Sequence, residues 1–425
     1  MEYASLGSLP VELKVLISRQ FDDASDVRSL ALTNRATYLA FIGSESHIVK
    51  ATFQNQTNPD VLHDVLAVAL TMQTKKWSRD VRLEILRKYF SGNPLIHTTK
   101  WTLSNFFSIQ RLRKQIQFFV LDFALSALSE DPSTRDEDIL PKEPTMWESI
   151  RLERTFWRFE LYCNLFGFRG LRDGDLPERL NVNERSVMFF NKFAAYENEQ
   201  LGCVRDYLIE RISEPFNDVA SHNIEYSDVK IGYTNDYAVP DNWFKEGVLT
   251  WGLEKIHDFI CTETYDERFE HLTEYPPCDS HFLYTGLIHA NNQSSKEALE
   301  LQQPFSPDPD IGPRAAWAWA NCSFSNNSYF LKSNWYFRQR AYVMWDSVRL
   351  TEWKLLLKPR HEAPDAINAP IAFNVEKSRE ERLSRSRRQQ LYLDGYTGYW
   401  AAESDMQLKQ REGSNSNAEG GSRSN

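Results

Sequence analysis

Several things are scarce or missing in this chain, and each absence closes off a class of protein. Its 425 residues hold only five cysteines, an odd number, spread from Cys163 to Cys322 with no CxxC pair. A disulfide framework is not expected, and the usage agrees with a reducing compartment. No run approaches the ~18 consecutive apolar residues of a membrane span. The opening residues Met1 to Ser5 lack a basic segment and an apolar core, so no secretory signal is read there. An intracellular location, cytoplasmic and/or nuclear, is the expectation. Positive charge is not in excess, since the formal net charge is −10. Nucleic acid is therefore not an expected partner, and neither is a membrane. No P-loop, HExxH, GxSxG or GxGxxG sequence occurs, which removes the usual sequence support for catalysis. No cofactor is expected. A repeat of fixed period is missing, which argues against WD40, kelch and leucine-rich architectures. Sustained period-two alternation is also missing, so the fold class is mainly α.

What the chain does have is concentrated at its start. Residues 8–42 read SLPVELKVLISRQFDDASDVRSLALTNRATYLAFI. Pro10, with fixed φ and no amide hydrogen, suits the first turn of a helix. Glu12 then falls at the positive end of the helix dipole. Leu13, Leu16 and Ile17 follow at i, i+3, i+4 spacing as one apolar face. Asp22, Asp23 and Ser25 offer cap oxygens for a second helix with Val27, Leu30 and Ala31 on its stripe. Thr33 or Asn34 opens a third, which contains Tyr38, Leu39 and Phe41. Three short helices make a poor core alone and need a partner or the neighbouring chain.

This stretch resembles an F-box, the helical module that docks a Skp-family adaptor of a ubiquitin ligase. The resemblance implies an adaptor surface made by Leu9, Pro10, Leu13, Leu16 and Leu30. Arg35 matches the basic position that closes the family pattern, while Asn34 stands where Cys or Ser is common. Two later segments, 341–350 (AYVMWDSVRL) and 199–208 (EQLGCVRDYL), are similar to elements of fungal F-box proteins. The implied function is a substrate receptor of a Skp–cullin–F-box ligase that does no chemistry itself. It would hold the adaptor, and through it the cullin, while a helical domain captures an unknown protein target. An F-box protein acting outside the ligase, or an enzyme with a site in the His/Cys region 240–290, is the alternative.

The expected organisation is an adaptor-binding module over 5–50, a large irregular helical domain over 55–395 and a disordered tail over 400–425. Helical stripes are read at Val61 to Ala69, Val81 to Tyr89, Ile109 to Ala127, Leu201 to Ile212 and Leu249 to Ile260. Arg151, Arg154 and Arg158 recur on one face of a further helix. Residues 130–145 and 303–313, both proline-bearing, are expected as exposed loops. The aromatic segment 315–353 is read as core, with Leu331, Trp335, Tyr342, Trp345 and Val348 on one helix face. Arg379, Arg382, Arg385, Arg387 and Arg388, interleaved with glutamates, read as a solvated mixed-charge helix. His257, Cys261, His271, Cys278, His281 and His289 include ligand-like gaps but no convincing four-ligand spacing. They are expected to be scattered structural residues, with no metal bound.

Overall fold

The computed structural model describes residues 6–129, 143–167, 181–228, 243–274, 282–290, 294–322, 334–357, 359–360, 375–401 and 409–410. The fold is mainly α. Its N-terminal part is α1 (Val11–Ser18), α2 (Ala24–Ala31) and α3 (Arg35–Gln56), followed by α4 (Pro59–Met72), α5 (Arg79–Phe90) and α6 (Leu103–Leu128). Next come α7 (Met146–Phe166), α8 (Val182–Met188), α9 (Ala195–His222), α10 (Trp243–Val248), α11 (Leu253–Ile260) and α12 (Tyr265–Glu274). The last helices are α13 (Leu283–His289), α14 (Lys296–Leu301), α15 (Gly312–Ala320), α16 (Trp335–Gln339), α17 (Ser347–Glu352) and α18 (Val375–Leu393). Two-residue strands β1 (Tyr396–Thr397) and β2 (Lys409–Gln410) pair antiparallel.

Local chemistry starts most of the long helices. Asn58 caps α4 ahead of Pro59, Ser78 caps α5 and Thr102 caps α6. Thr145 and Glu148 close a reciprocal capping box on α7. In α3 the Gly43-Ser44 step kinks the helix, as such pairs do, with Ser44 at φ −137°. One continuous core runs from Ala24 to Leu355, so the N-terminal helices share apolar packing with the body. Polar ties reinforce it. Gln110 donates to Asp23 at 2.5 Å, Leu103 N–H donates to Glu45 at 2.8 Å, and Asn55 donates to the carbonyls of Arg19 and Phe21.

At the centre α7 packs against α4, α6 and α9. It is buried on nearly every side, charged residues included. A cation inside a protein persists only when paired and hydrogen-bonded. Arg158 donates to Asp64 of α4 (3.2 Å), Glu197 of α9 (3.0 Å) and Ser306 (2.6 Å), and its guanidinium lies over the Phe193 ring. Arg151 holds Asp308 through two parallel bonds and donates also to Asp346 and to the Met344 carbonyl. Burial works against both charges, yet these carboxylates hold both guanidinium pKa values above the ordinary range. On α9, Arg205 pairs with Glu246 and Asp206, while Arg338 of α16 pairs with Asp206 and Glu199.

This interior overturns three expectations. The proline-bearing segment 303–313 is not a free surface loop. Phe305 packs among Tyr89, Phe90 and Phe193, Ser306 meets Arg158, and Asp308 meets Arg151, because those arginines need acceptors. The aromatic segment is core as read: Trp317, Phe337, Tyr342 and Trp345 are buried. It is not one helix, however. Ala341 adopts a left-handed φ of 50°, α16 and α17 are short, and Val348 faces out. Leu331 lies outside the described residues. Finally, α18 is not simply solvated. Arg388 is fully buried and donates to the carbonyls of Ala220 and Asn223, capping the negative end of α9. Residues 130–142 of the first expected loop are outside the described residues. So is most of 400–425, where Lys409 and Gln410 form β2.

Two outcomes follow from this charge placement. Arg158→Met leaves Asp64 and Glu197 buried without their cation, which should cost about 3–5 kcal/mol in urea unfolding. Lys245, whose ammonium donates to Ser213, has its pKa lowered by burial to about 8. The folded state then binds this proton more weakly than the unfolded chain does. The resulting penalty is fully present below pH 8 and disappears as pH rises toward 10.5. Wild type should therefore gain stability relative to Lys245→Met across that window, measured by urea unfolding at stepped pH.

Candidate functional site

The sequence-predicted site begins with a short 3-10 turn, Leu6–Ser8, closed by Leu9 N–H donating to the Leu6 carbonyl. Pro10 then stands at the mouth of α1 with ψ 152°, as the last extended residue before the helix. Asp23 caps α2 by accepting from Ser25 N–H at 2.6 Å. Its burial opposes ionisation, but the bonds from Ser25 and Gln110 outweigh that and lower its pKa. Asn34, rather than Thr33, opens α3 through a capping box with Thr37.

The orientation of α1 is unusual for its composition. Its inward residues are Lys14, Val15 and Ser18, and Lys14 is only 5% exposed. Apart from Val15, its apolar residues point to solvent, with Leu13 44% and Leu16 48% exposed and Val11 and Ile17 beside them. On the packed neighbour α3, Thr37, Ala40 and Phe41 face in, while Tyr38, Leu39 and Ile42 face out. Leu32, between α2 and α3, is also exposed. Exposed large apolar side chains gathered on two adjacent helices mark an interaction surface more often than scattered single ones do.

Of the six residues expected in the site, Leu13 and Leu16 are exposed on one face of α1, and Leu9 is half-buried just before it. Pro10 and Arg35 are exposed, and Leu30 is half-buried on α2. Sequence reasoning did not assign Val11, Ile17, Leu32, Tyr38, Leu39 and Ile42 to the site. A signal for them existed in part. The first half of α3 carries more apolar residues than one buried stripe can use. Nothing in the spacing, though, says which face of α1 turns inward.

The His/Cys region offers less. His257 and Cys261 share a face of α11, with Cys261 Sγ 3.8 Å from His257 Nε2. The Cys261 thiol is exposed, not packed as a small apolar group, and the His257 ring stands edge-on to Phe118 and Phe119. His271 lies on α12 and His289 on α13, whereas Cys278 and His281 are outside the described residues. Among the described residues no three His, Cys, Asp or Glu side chains are placed to hold a metal ion. No described helix is long and apolar enough to cross a membrane.

No family model matches this chain, and no curated protein or solved structure was found similar to it.

The outward setting of α1 has a direct stability consequence. Leu13→Ser and Leu16→Ser should each change the unfolding free energy by less than about 0.5 kcal/mol. Ile48→Ala, at a fully buried position of α3, should cost about 2–5 kcal/mol. Urea midpoints of the three variants measure this, and a loss at Leu16 as large as at Ile48 would contradict the outward face.

Proposed function

We propose that the N-terminal helices form an F-box-like docking module, and that the chain is a substrate-receptor subunit of a Skp–cullin–F-box ubiquitin ligase. The observation that carries this reading is the reversal of α1, which buries a lysine and a serine while exposing Val11, Leu13, Leu16 and Ile17. A helix in a finished core has the opposite preference. Covering such a face by a partner recovers the apolar burial that the isolated chain forgoes.

Leu9, Pro10, Leu13, Leu16 and Leu30 are the residues carried over from the family pattern as adaptor contacts. Pro10 fixes the entry of the chain into α1 and loses no hydrogen bond, because a residue ahead of the first helical turn needs no amide donor. Arg35 sits in the first turn of α3, where a cation opposes the helix dipole. The mechanism is positional. The module holds the adaptor, the helical body presents a protein target, and a thioester carried by another subunit reacts with a target lysine kept close to it. None of this chain's side chains takes part in bond making.

Purified Skp-family adaptor should co-elute with wild type, and cullin should join when it is added. Fully burying one leucine is worth about 1.5–3 kcal/mol, so Leu9→Ala/Pro10→Ala should weaken adaptor binding about 10²-fold. Arg28→Ala, at an exposed position of α2, should bind like wild type. Equal recovery by the double variant, or none by wild type, would remove the proposal. Adaptor recovery that excludes cullin would favour a role outside the ligase.

A further inference from the structure

Lys14 is a charged residue in a place that burial would ordinarily refuse it. It lies on the inner side of α1, and its ammonium donates to the Gly7 carbonyl at 2.9 Å and to the Leu9 carbonyl at 2.7 Å. Its own N–H continues the helix by bonding to the Pro10 carbonyl at 3.2 Å. One residue therefore touches the chain at three points on both sides of the Leu9–Pro10 step. The chemistry explains the choice. At Pro10 the main chain changes from a 3-10 turn to an α-helix, and proline supplies no N–H there. The carbonyls before it need a donor from elsewhere, and a long side chain with three N–H groups can serve two of them together. A buried ammonium is tolerated only when so engaged.

We infer that Lys14 is a positioning residue, which clamps the Leu6–Leu9 segment to α1 so that Leu9 and Pro10 meet a partner in one fixed orientation. The inference rests on the docking reading proposed above. Lys14 does not itself reach the partner surface, since Leu13, Leu16 and Ile17 occupy the outward side of the same helix. Its effect on binding must then pass through Leu9 and Pro10, as preorganisation of their contacts.

The test compares Lys14→Met, which keeps the apolar stem and removes the donors, with Lys14→Arg, which keeps donors and charge. Binding to purified Skp-family adaptor is measured for each variant alone and combined with Leu9→Ala. Hydrogen exchange is followed over residues 6–13 and, separately, over α2 and α3. Lys14→Met should weaken adaptor binding about tenfold, the equivalent of one lost charge-assisted hydrogen bond. Lys14→Arg should stay within about threefold of wild type, as its remaining donors keep the segment in place. In the Leu9→Ala background the Lys14→Met effect should shrink to less than about twofold, because the two act through one contact. Exchange should quicken over 6–13 and remain unchanged over α2 and α3. Wild-type affinity in Lys14→Met overturns the inference. So does a loss fully additive with Leu9→Ala and accompanied by faster exchange throughout, since that is general destabilisation. Wild type failing to bind adaptor defeats the docking reading and the partner role of Lys14 together. Exchange over 6–13 then shows separately whether the clamp exists, and unchanged exchange in Lys14→Met denies it.

Discussion

The placement of Arg158 inside the molecule constrains more of this structure than any other single interaction. A guanidinium at the centre of a helical body demands acceptors on every side, and three different parts of the chain provide them. Asp64 arrives on α4, Glu197 on α9 and Ser306 on the segment that precedes α15. Two turns earlier along α7, beyond Arg154, Arg151 makes the same demand on Asp308 and Asp346. Arg154 finds the carbonyl of Asp60. An arginine face that would be unstable alone thus fixes where four remote segments must lie. Breaking one member leaves opposite charges stranded in a medium that cannot solvate them.

The carboxylates of the same interior have a second use. Glu197 accepts from the N–H groups of Phe305 and Ser306, Glu160 from that of Leu253, and Glu246 from those of Leu283 and Tyr284. Glu148 binds Arg349 through both oxygens and accepts from Asp346 N–H. Each of these groups satisfies main-chain donors where a helix starts or a loop turns, places where the regular ladder runs out. This is how many short helices with irregular connections form one ordered body. The arrangement resembles a core cross-linked by charge more than one stacked by apolar ridges.

Against that body the N-terminal helices show the opposite economy of groups. The inner side of α1 and of the first half of α3 carries Lys14, Ser18, Thr37 and Ala40 beside Phe41, while Val11, Leu13, Leu16, Ile17, Tyr38, Leu39 and Ile42 stay outside. The body spends polar groups inward and satisfies them, whereas α1 and the first half of α3 leave apolar groups outward and unsatisfied. A surface of that kind is held ready by its supports: Asn55 on the carbonyls that end α1, Asp23 bridging to Gln110, and Lys14 on the turn before Pro10. The two regions thus differ in which groups they turn inward and which they leave to solvent.

Much of this was legible in the residues themselves. Helical periodicity, cap residues such as Asp23 and Asn34, and the lack of alternating strands determine an α fold, because these are local preferences acting within one or two turns. Arg151, Arg154 and Arg158 recur in the sequence as one helix face, and Leu9 with Pro10 marks a helix entrance. Sequence alone could not say that the arginine face points inward, since that depends on Asp64, Glu197 and Asp308 arriving from positions 94, 39 and 157 residues away. It could not show that Phe305 and Asp308 leave the surface, or that Arg388 caps a helix more than 160 residues earlier in the chain. Nor could it turn α1 outward, for Leu13, Leu16 and Ile17 form a sound core face by spacing alone. The local pattern determined which residues share a side of each helix. Only the tertiary structure decided which side faces the interior, because that choice is set by partners brought in from distant parts of the chain.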